Sequence, residues 1–163
     1  MKFVVKVGLA VVFSFYLLVL TKLILIKYLS IQEIISHFTF TYEGMWNKHN
    51  FIPFKTIGYY LFFANDINFS IRVENLTGNI IGFAPFGFMF PLLFAKFHGF
   101  KNVAIATFCL SLTFETLQLI FKFGSFDVDD LILNTIGGML GYIPIKLASL
   151  YMNNRKLKRT FVR

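Results

Sequence analysis

Four apolar runs, each about as long as a bilayer is thick, decide most of what this chain can become. A spanning helix needs about 20 mainly apolar residues. Residues 7–26, 75–95, 103–121 and 131–152 meet that requirement. The second run holds no charged residue, and the third is broken only by Glu115. Lys22 and Lys146 sit near the ends of the first and fourth, where a long side chain can reach the headgroups. Hydrocarbon offers no partner to a backbone N–H or C=O, so a segment crossing it must satisfy its own hydrogen bonds. Apolar runs of this length do so as helices. The expected fold is an all-α membrane protein: four transmembrane helices in a compact bundle, with a long, partly helical outer loop between the first two. At 163 residues the chain forms a single domain, 1–163.

Composition agrees. Charged residues make up 15% of the chain, against about 25% in a soluble domain. The net charge of +8 would raise nucleic acid as a partner for a soluble protein. Here the basic residues flank the apolar runs, so membrane orientation explains them and no nucleic-acid partner is expected. The single Cys109 excludes a disulfide within the chain and is expected as a small buried hydrophobe. The first run is longer than a signal-peptide core and no A-x-A-like site follows it, so it reads as a retained helix.

Orientation follows from the same basic residues. With the N-terminus in the cytoplasm, Lys2, Lys6, Lys96, Lys101 and the basic tail 155–163 all fall inside, in short segments beside a span. Lys27, Lys48, Lys55, Arg72 and Lys122 fall outside, mostly spread through one long loop. The positive-inside rule then places both termini in the cytoplasm of a multi-pass cell-membrane protein, in contact with membrane lipids. The outer loop is more than a tether. Ile31, Ile34, Ile35 and Phe38 recur at amphipathic-helix spacing. Pro53 interrupts any helix through 51–55. Residues 57–63 read as a second apolar surface segment, too short to span, with Tyr59 and Tyr60 as headgroup-level anchors. The tripeptides at Asn68 and Asn75 match a glycosylation sequon, a pattern common by chance.

The polar residues within the spans are the candidates for function, because ionisable groups in a bilayer are costly and rarely decorative. Glu115 lies about 18 Å into the third helix at 1.5 Å per residue. Gln118 is one turn further on, and Asn134 one turn into the fourth helix. Asn75 and Asn79 stack in the first turns of the second. Asp127, Asp129 and Asp130 precede or open the fourth helix, where an Asp also serves as an N-cap. Three helices thus present polar groups at one depth, the outer half of the membrane. Gly78-x-x-x-Gly82 and Gly137-x-x-x-Gly141, the latter widened by Gly138, offer small-residue faces that would let those helices close up. Pro85 and Pro91 are expected to kink the second helix.

Glu115 beside Asp127 or Asp130 could form the acid–base pair that hydrolases and transferases use. It could equally hydrogen-bond Gln118, Asn134 or Asn79 as a link between helices. The catalytic candidates are therefore Glu115, Asp127 and Asp130, and the ligand-binding candidates Asn79, Gln118 and Asn134. Mg²⁺ or Ca²⁺ could be held by the carboxylates, but weakly, and no resident cofactor or metal is expected. Zinc is disfavoured, because His37 and His49 lie in the loop and His98 at the inner side.

The order of these residues resembles the VanZ-like family, small bacterial membrane proteins named for a teicoplanin-resistance protein. The matching pieces are residues 50–57 (NFIPFKTI), 79–87 (NIIGFAPFG), Glu115-x-x-Gln118 and 125–138 (SFDVDDLILNTIGG), spread over about 45–145. Family members often carry an Arg shortly before the Asp-bearing stretch; Gly124 and Ser125 stand there, with Lys122 nearby. The resemblance implies a four-helix membrane domain, both termini inside, and a link to glycopeptide or lipoglycopeptide resistance. It carries over motif positions but no catalytic assignment. Two readings follow. One is a protein that engages a cell-wall precursor, lipid headgroup or lipoteichoic component through an outward polar site. The other is a membrane-embedded hydrolase or transferase acting on a lipid-linked envelope substrate. Whether the chain is an enzyme stays open at this stage.

Overall fold

The computed structural model of the protein describes residues 3–25, 49–63, 67–121 and 124–161, with side chains as far as residue 152. Among these residues the architecture is all-helical, and the only extended pairing is an isolated parallel bridge between Asn50 and Asp127. Helix α1 runs Phe3–Leu25 and α2 is the short Lys55–Gly58, continued by a π-helical turn at Tyr59–Phe63. Helix α3 runs Phe69–Leu93, α4 Phe100–Phe121 and α5 Val128–Phe161. Four of them, with α5 counted to Met152, are long and apolar enough to cross a membrane. This is a multi-pass membrane protein. Each span begins a few residues earlier than the hydropathy pattern predicts, at α3 and α5 because a polar cap extends the helix beyond its apolar core. Asn68, for example, accepts the Ser70 N–H at 3.0 Å and starts α3. The predicted amphipathic helix at 31–38 lies outside the described residues.

Helices α3 and α5 make the most extensive contact in the molecule, with α4 packed against α5. Both α3 and α5 run away from the 49–63 segment, and α4 returns between them in sequence, so the central pair is parallel. Glycine sets how closely it packs. A Cβ on Gly137 would run into the Ile80 carbonyl oxygen, and one on Gly141 into that of Ala84. Gly138 packs on the Thr107 side chain of α4, and Gly87 on the backbone of Gly138. The predicted Gly137/Gly138/Gly141 face is therefore the seam. The predicted Gly78–Gly82 face is not its counterpart. Gly78 has open space around its Cβ position, and Gly82 meets only Leu20 of α1 at 3.7 Å. Gly87, half a helix away, supplies the close approach instead.

Helix α1 lies on the outside of this core. Phe13 packs with Phe86, Met89 and Leu93, and Leu20 with Phe83 and Phe114. The Tyr16 hydroxyl donates to the Gly82 carbonyl at 2.7 Å. Most of its other large side chains are exposed, the surface a lipid-facing helix needs. Cys109 is exposed on α4, contrary to its expected burial. Its position in an apolar run reflects a lipid-facing surface, where apolar residues point outward. At the far end of the bundle Lys146 reaches over the Phe100 ring, 5.5 Å from its centroid.

Candidate functional site

The end of the bundle that carries segment 49–63 is built on two aspartates. Asp127 precedes α5 and caps it: its Oδ1 accepts the Asp129 N–H at 2.8 Å. The same oxygen accepts Asn50 Nδ2 at 2.8 Å, and Oδ2 accepts the Thr56 hydroxyl at 2.6 Å. Asp129, fully buried, reaches from the first turn of α5 into the short helix α2. Its carboxylate accepts the backbone N–H groups of Thr56 at 2.7 Å, Ile57 at 3.0 Å and Phe54. Those N–H groups are the orphan donors at the start of α2, so a side chain some seventy residues away caps that helix. Phe54 adopts a left-handed conformation at φ 65°, costly for a bulky residue. Following Pro53, that turn lets three amides converge on one carboxylate.

Backbone bonds reinforce the clamp. Asn50 N–H donates to Phe126 O at 2.8 Å, and Val128 N–H to Asn50 O at 3.0 Å. The Phe126 N–H donates to His49 Nδ1 at 2.9 Å, and the Phe51 and Phe126 rings stack. At the other end of the segment Arg72, in the first turn of α3, donates to the carbonyls of Tyr60 at 2.6 Å and Leu61 at 2.8 Å. A cation there satisfies the carbonyls at the end of a helical turn and complements its dipole.

Beneath this clamp the polar groups of three helices meet. Glu115, 2% exposed, accepts the Asp127 N–H through Oε2 at 2.9 Å. Asp130 accepts Asn79 Nδ2 at 2.5 Å, joining α5 to α3. One turn deeper Asn134, 3% exposed, donates to Ser111 Oγ at 2.8 Å, joining α5 to α4. Asn134 Oδ1 is buried and has no hydrogen-bond donor among the described residues. Asn79, Asp127 and Asp130 are half-buried, while Glu115, Ser111 and Asn134 are enclosed.

Five of the six predicted site residues are thus brought together: Asn79, Glu115, Asp127, Asp130 and Asn134. Gln118 is not among them. Its Nε2 donates to Ile24 O of α1 at 3.0 Å, and its side chain packs beside Gly124. Three residues on from Glu115 is a rotation of about 60° away from the same line. Ser111, four residues back, stays nearer the Glu115 face and is the partner the sequence reading missed. It also missed the work of Asn50 and Thr56, quoted there as motif positions without a role, and the dominance of Asp129 over Asp127 as a structural group. His49, read as a remote loop residue, touches the strand-like turn before Asp127. Among the described residues no group of three or more His, Cys, Asp or Glu side chains is arranged to hold a metal ion.

Most of the chain, the site included, matches a known family. Its model, VanZ/LLP1, matches residues 13–149. The chain belongs to the VanZ/LLP1 family. A relative, protein VanZ of Enterococcus faecium, is 33% identical over 149 residues, covering 91% of this chain and 80% of its own length. No solved structure matches the chain. The VanZ/LLP1 match includes everything just described: the clamp, the acidic layer and the Asn134–Ser111 link all lie within it.

Proposed function

We propose that this VanZ/LLP1 protein binds a lipid headgroup, cell-wall precursor or lipoteichoic component at the outer face of the cell membrane, and thereby contributes to teicoplanin or lipoglycopeptide resistance. Both termini lie in the cytoplasm in this reading. The observation that carries it is the buried Asn134 oxygen without a donor among the described residues, beneath Glu115, Asp127 and Asp130. An acceptor left unpaired in a membrane interior costs several kcal/mol unless something binds it (about 1–3 kcal/mol by the measure used for soluble proteins). The acidic layer lies at the end opposite Lys96, Lys101 and the basic tail, which supports an outward site by the charge rule. Glycopeptides act outside the membrane, where such a site would meet their targets.

Binding is favoured over hydrolysis or group transfer by how the acids are used. Asp127 already accepts from Asn50, Thr56 and Asp129, and so serves as a cap and clamp. Glu115 receives a backbone N–H from the same turn. A catalytic pair needs one member able to exchange a proton with substrate. The test is expression of the full chain in a susceptible Gram-positive host. A rise of at least fourfold in the inhibitory concentration of teicoplanin is expected, with a headgroup-bearing molecule retained on the purified protein by native mass spectrometry. No rise and no retained molecule would sink the reading. A covalently altered envelope precursor made by the wild-type chain but not by Glu115→Gln would move the assignment to an enzyme.

A further inference from the structure

Segment 49–63 turns its polar groups inward and leaves its apolar ones outside. The Asn50 and Thr56 side chains and the amides of residues 54, 56 and 57 donate to Asp127 and Asp129. Phe51, Ile52, Phe54, Leu61, Phe62 and Phe63 stay between 51% and 73% exposed. The segment holds no Asp or Glu, and Lys55 is its one lysine or arginine. So much exposed apolar surface in one short segment marks an interaction surface.

Depth and backbone chemistry identify what covers it. Arg72 Nε donates to Tyr60 O, and Asn75 Nδ2 donates to the Tyr60 hydroxyl at 3.2 Å. Arg72 and Asn75 follow Phe69, the first residue of α3, by about 4.5 and 9 Å of helix axis at 1.5 Å per residue. Tyr60 therefore lies lengthwise beside α3, not beyond its end. Arg72 and Glu74 on these turns put that level at the headgroup boundary. Phe69 and Ile71 are exposed there too, so the neighbouring span presents apolar side chains at the same level. Peptide groups that enter a membrane must find partners within the protein. The N–H groups of Asn50, Ile52 and residues 54–58 all do so, and Arg72 takes the carbonyls of Tyr60 and Leu61. Pro53 has no N–H to satisfy. A loop bathed in water has no such requirement. We propose that residues 51–63 form a membrane wedge: the backbone lies at the headgroup boundary, and Phe51, Ile52, Phe54, Leu61, Phe62 and Phe63 reach the acyl chains of the adjoining leaflet. In the orientation proposed above that leaflet is the outer one. Asp129 ties the wedge to α5. Its partner is the acyl chain rather than any headgroup, so the wedge stands or falls apart from the binding function.

Depth-resolved fluorescence quenching of the full chain provides the test. Its single tryptophan is removed by Trp46→Phe, and Phe54→Trp and Phe62→Trp are made separately in that background. Each variant is reconstituted into phosphatidylcholine vesicles brominated near the carbonyl end of the acyl chains, with unbrominated vesicles as reference. The bromines are expected to quench emission at least twofold at both positions. Acrylamide, present on both sides of the bilayer, is expected to quench at least fivefold less than it quenches free tryptophan amide. Quenching by acrylamide and not by bromine puts the segment in water and overturns the wedge. Quenching by neither means that protein covers the surface, whether a second copy or other residues of this chain, and overturns it as well. Where one variant loses its helical signal, the other is read alone. Should both lose it, the unaltered chain is photolabelled with a phospholipid carrying a diazirine on its acyl chain. Label within residues 51–63 supports the wedge, and label confined to the four spans overturns it.

Discussion

Helices α1 and α5 are both long and apolar, yet they end up in opposite surroundings. Helix α5 is the most enclosed of the four candidate spans and α1 the least. Hydrophobicity does not separate them, since α1 is the more apolar. In a bilayer lipid tails are as apolar as Leu, so an apolar face gains little by turning inward. What separates the two helices is glycine and polar side chains. Helix α5 carries Gly137, Gly138 and Gly141 against neighbouring backbone or side chain, and Asp129, Asp130 and Asn134 bonded to three other elements. Helix α1 carries one glycine, Gly8, with nothing within 4 Å of its Cβ position, and its Tyr16 hydroxyl is bonded to α3.

The largest break in this contrast should come from the seam. Gly141→Leu drives a branched side chain into the Ala84 backbone, which cannot yield as a flexible side chain would. We expect at least about 3 kcal/mol of destabilisation, the upper range for overpacking, and loss of the cooperative thermal transition in detergent followed by circular dichroism. Survival of a wild-type transition would show that α3 and α5 are not held at glycine distance.

A smaller and more local loss is expected from Asp129→Ala. Three amides of segment 54–57 lose their acceptor, at about 1–3 kcal/mol for a buried unsatisfied group. Limited proteolysis should cut segment 49–63 at least tenfold faster, with the helical signal of the spans retained. If the segment stays protected, the clamp is held by the Asn50 and Arg72 contacts rather than by Asp129.

Tyr16→Phe should cost about 0.6 kcal/mol, the average for a hydrogen bond between membrane helices. A melting temperature lowered by a few degrees would fit; a loss comparable to Gly141→Leu would mean that α1 belongs to the core after all. The smallest effect is expected at Gly78. Gly78→Ala enters open space and gains helix propensity, so stability should stay level or rise by up to about 1 kcal/mol. A marked loss there would restore Gly78 to a packing role that the geometry denies it.

The spans and the depth of their polar residues were legible in the sequence for one reason. A helix in lipid satisfies its own backbone, so length and apolarity alone announce it, and a fixed rise per residue sets Glu115 and Asn134 at comparable depth. The motif at 125–138 likewise pointed to the acids that gather there. Other features depended on contacts that cross many residues of chain. Asp129 reaches Thr56, and Asn50 reaches Asp127, with no local pattern to reveal either. Gly78 and Gly87 look alike in sequence; which of them meets a neighbour follows from the crossing of α3 and α5. Helix geometry sets Gln118 further off the Glu115 line than Ser111, but the position of α1 and α5 around α4 decides that one bonds Ile24 O and the other Asn134. Local backbone physics therefore determined the helices, while the partners of their side chains were decided by packing in three dimensions, where apolar surface gives no direction and glycines and polar groups supply it.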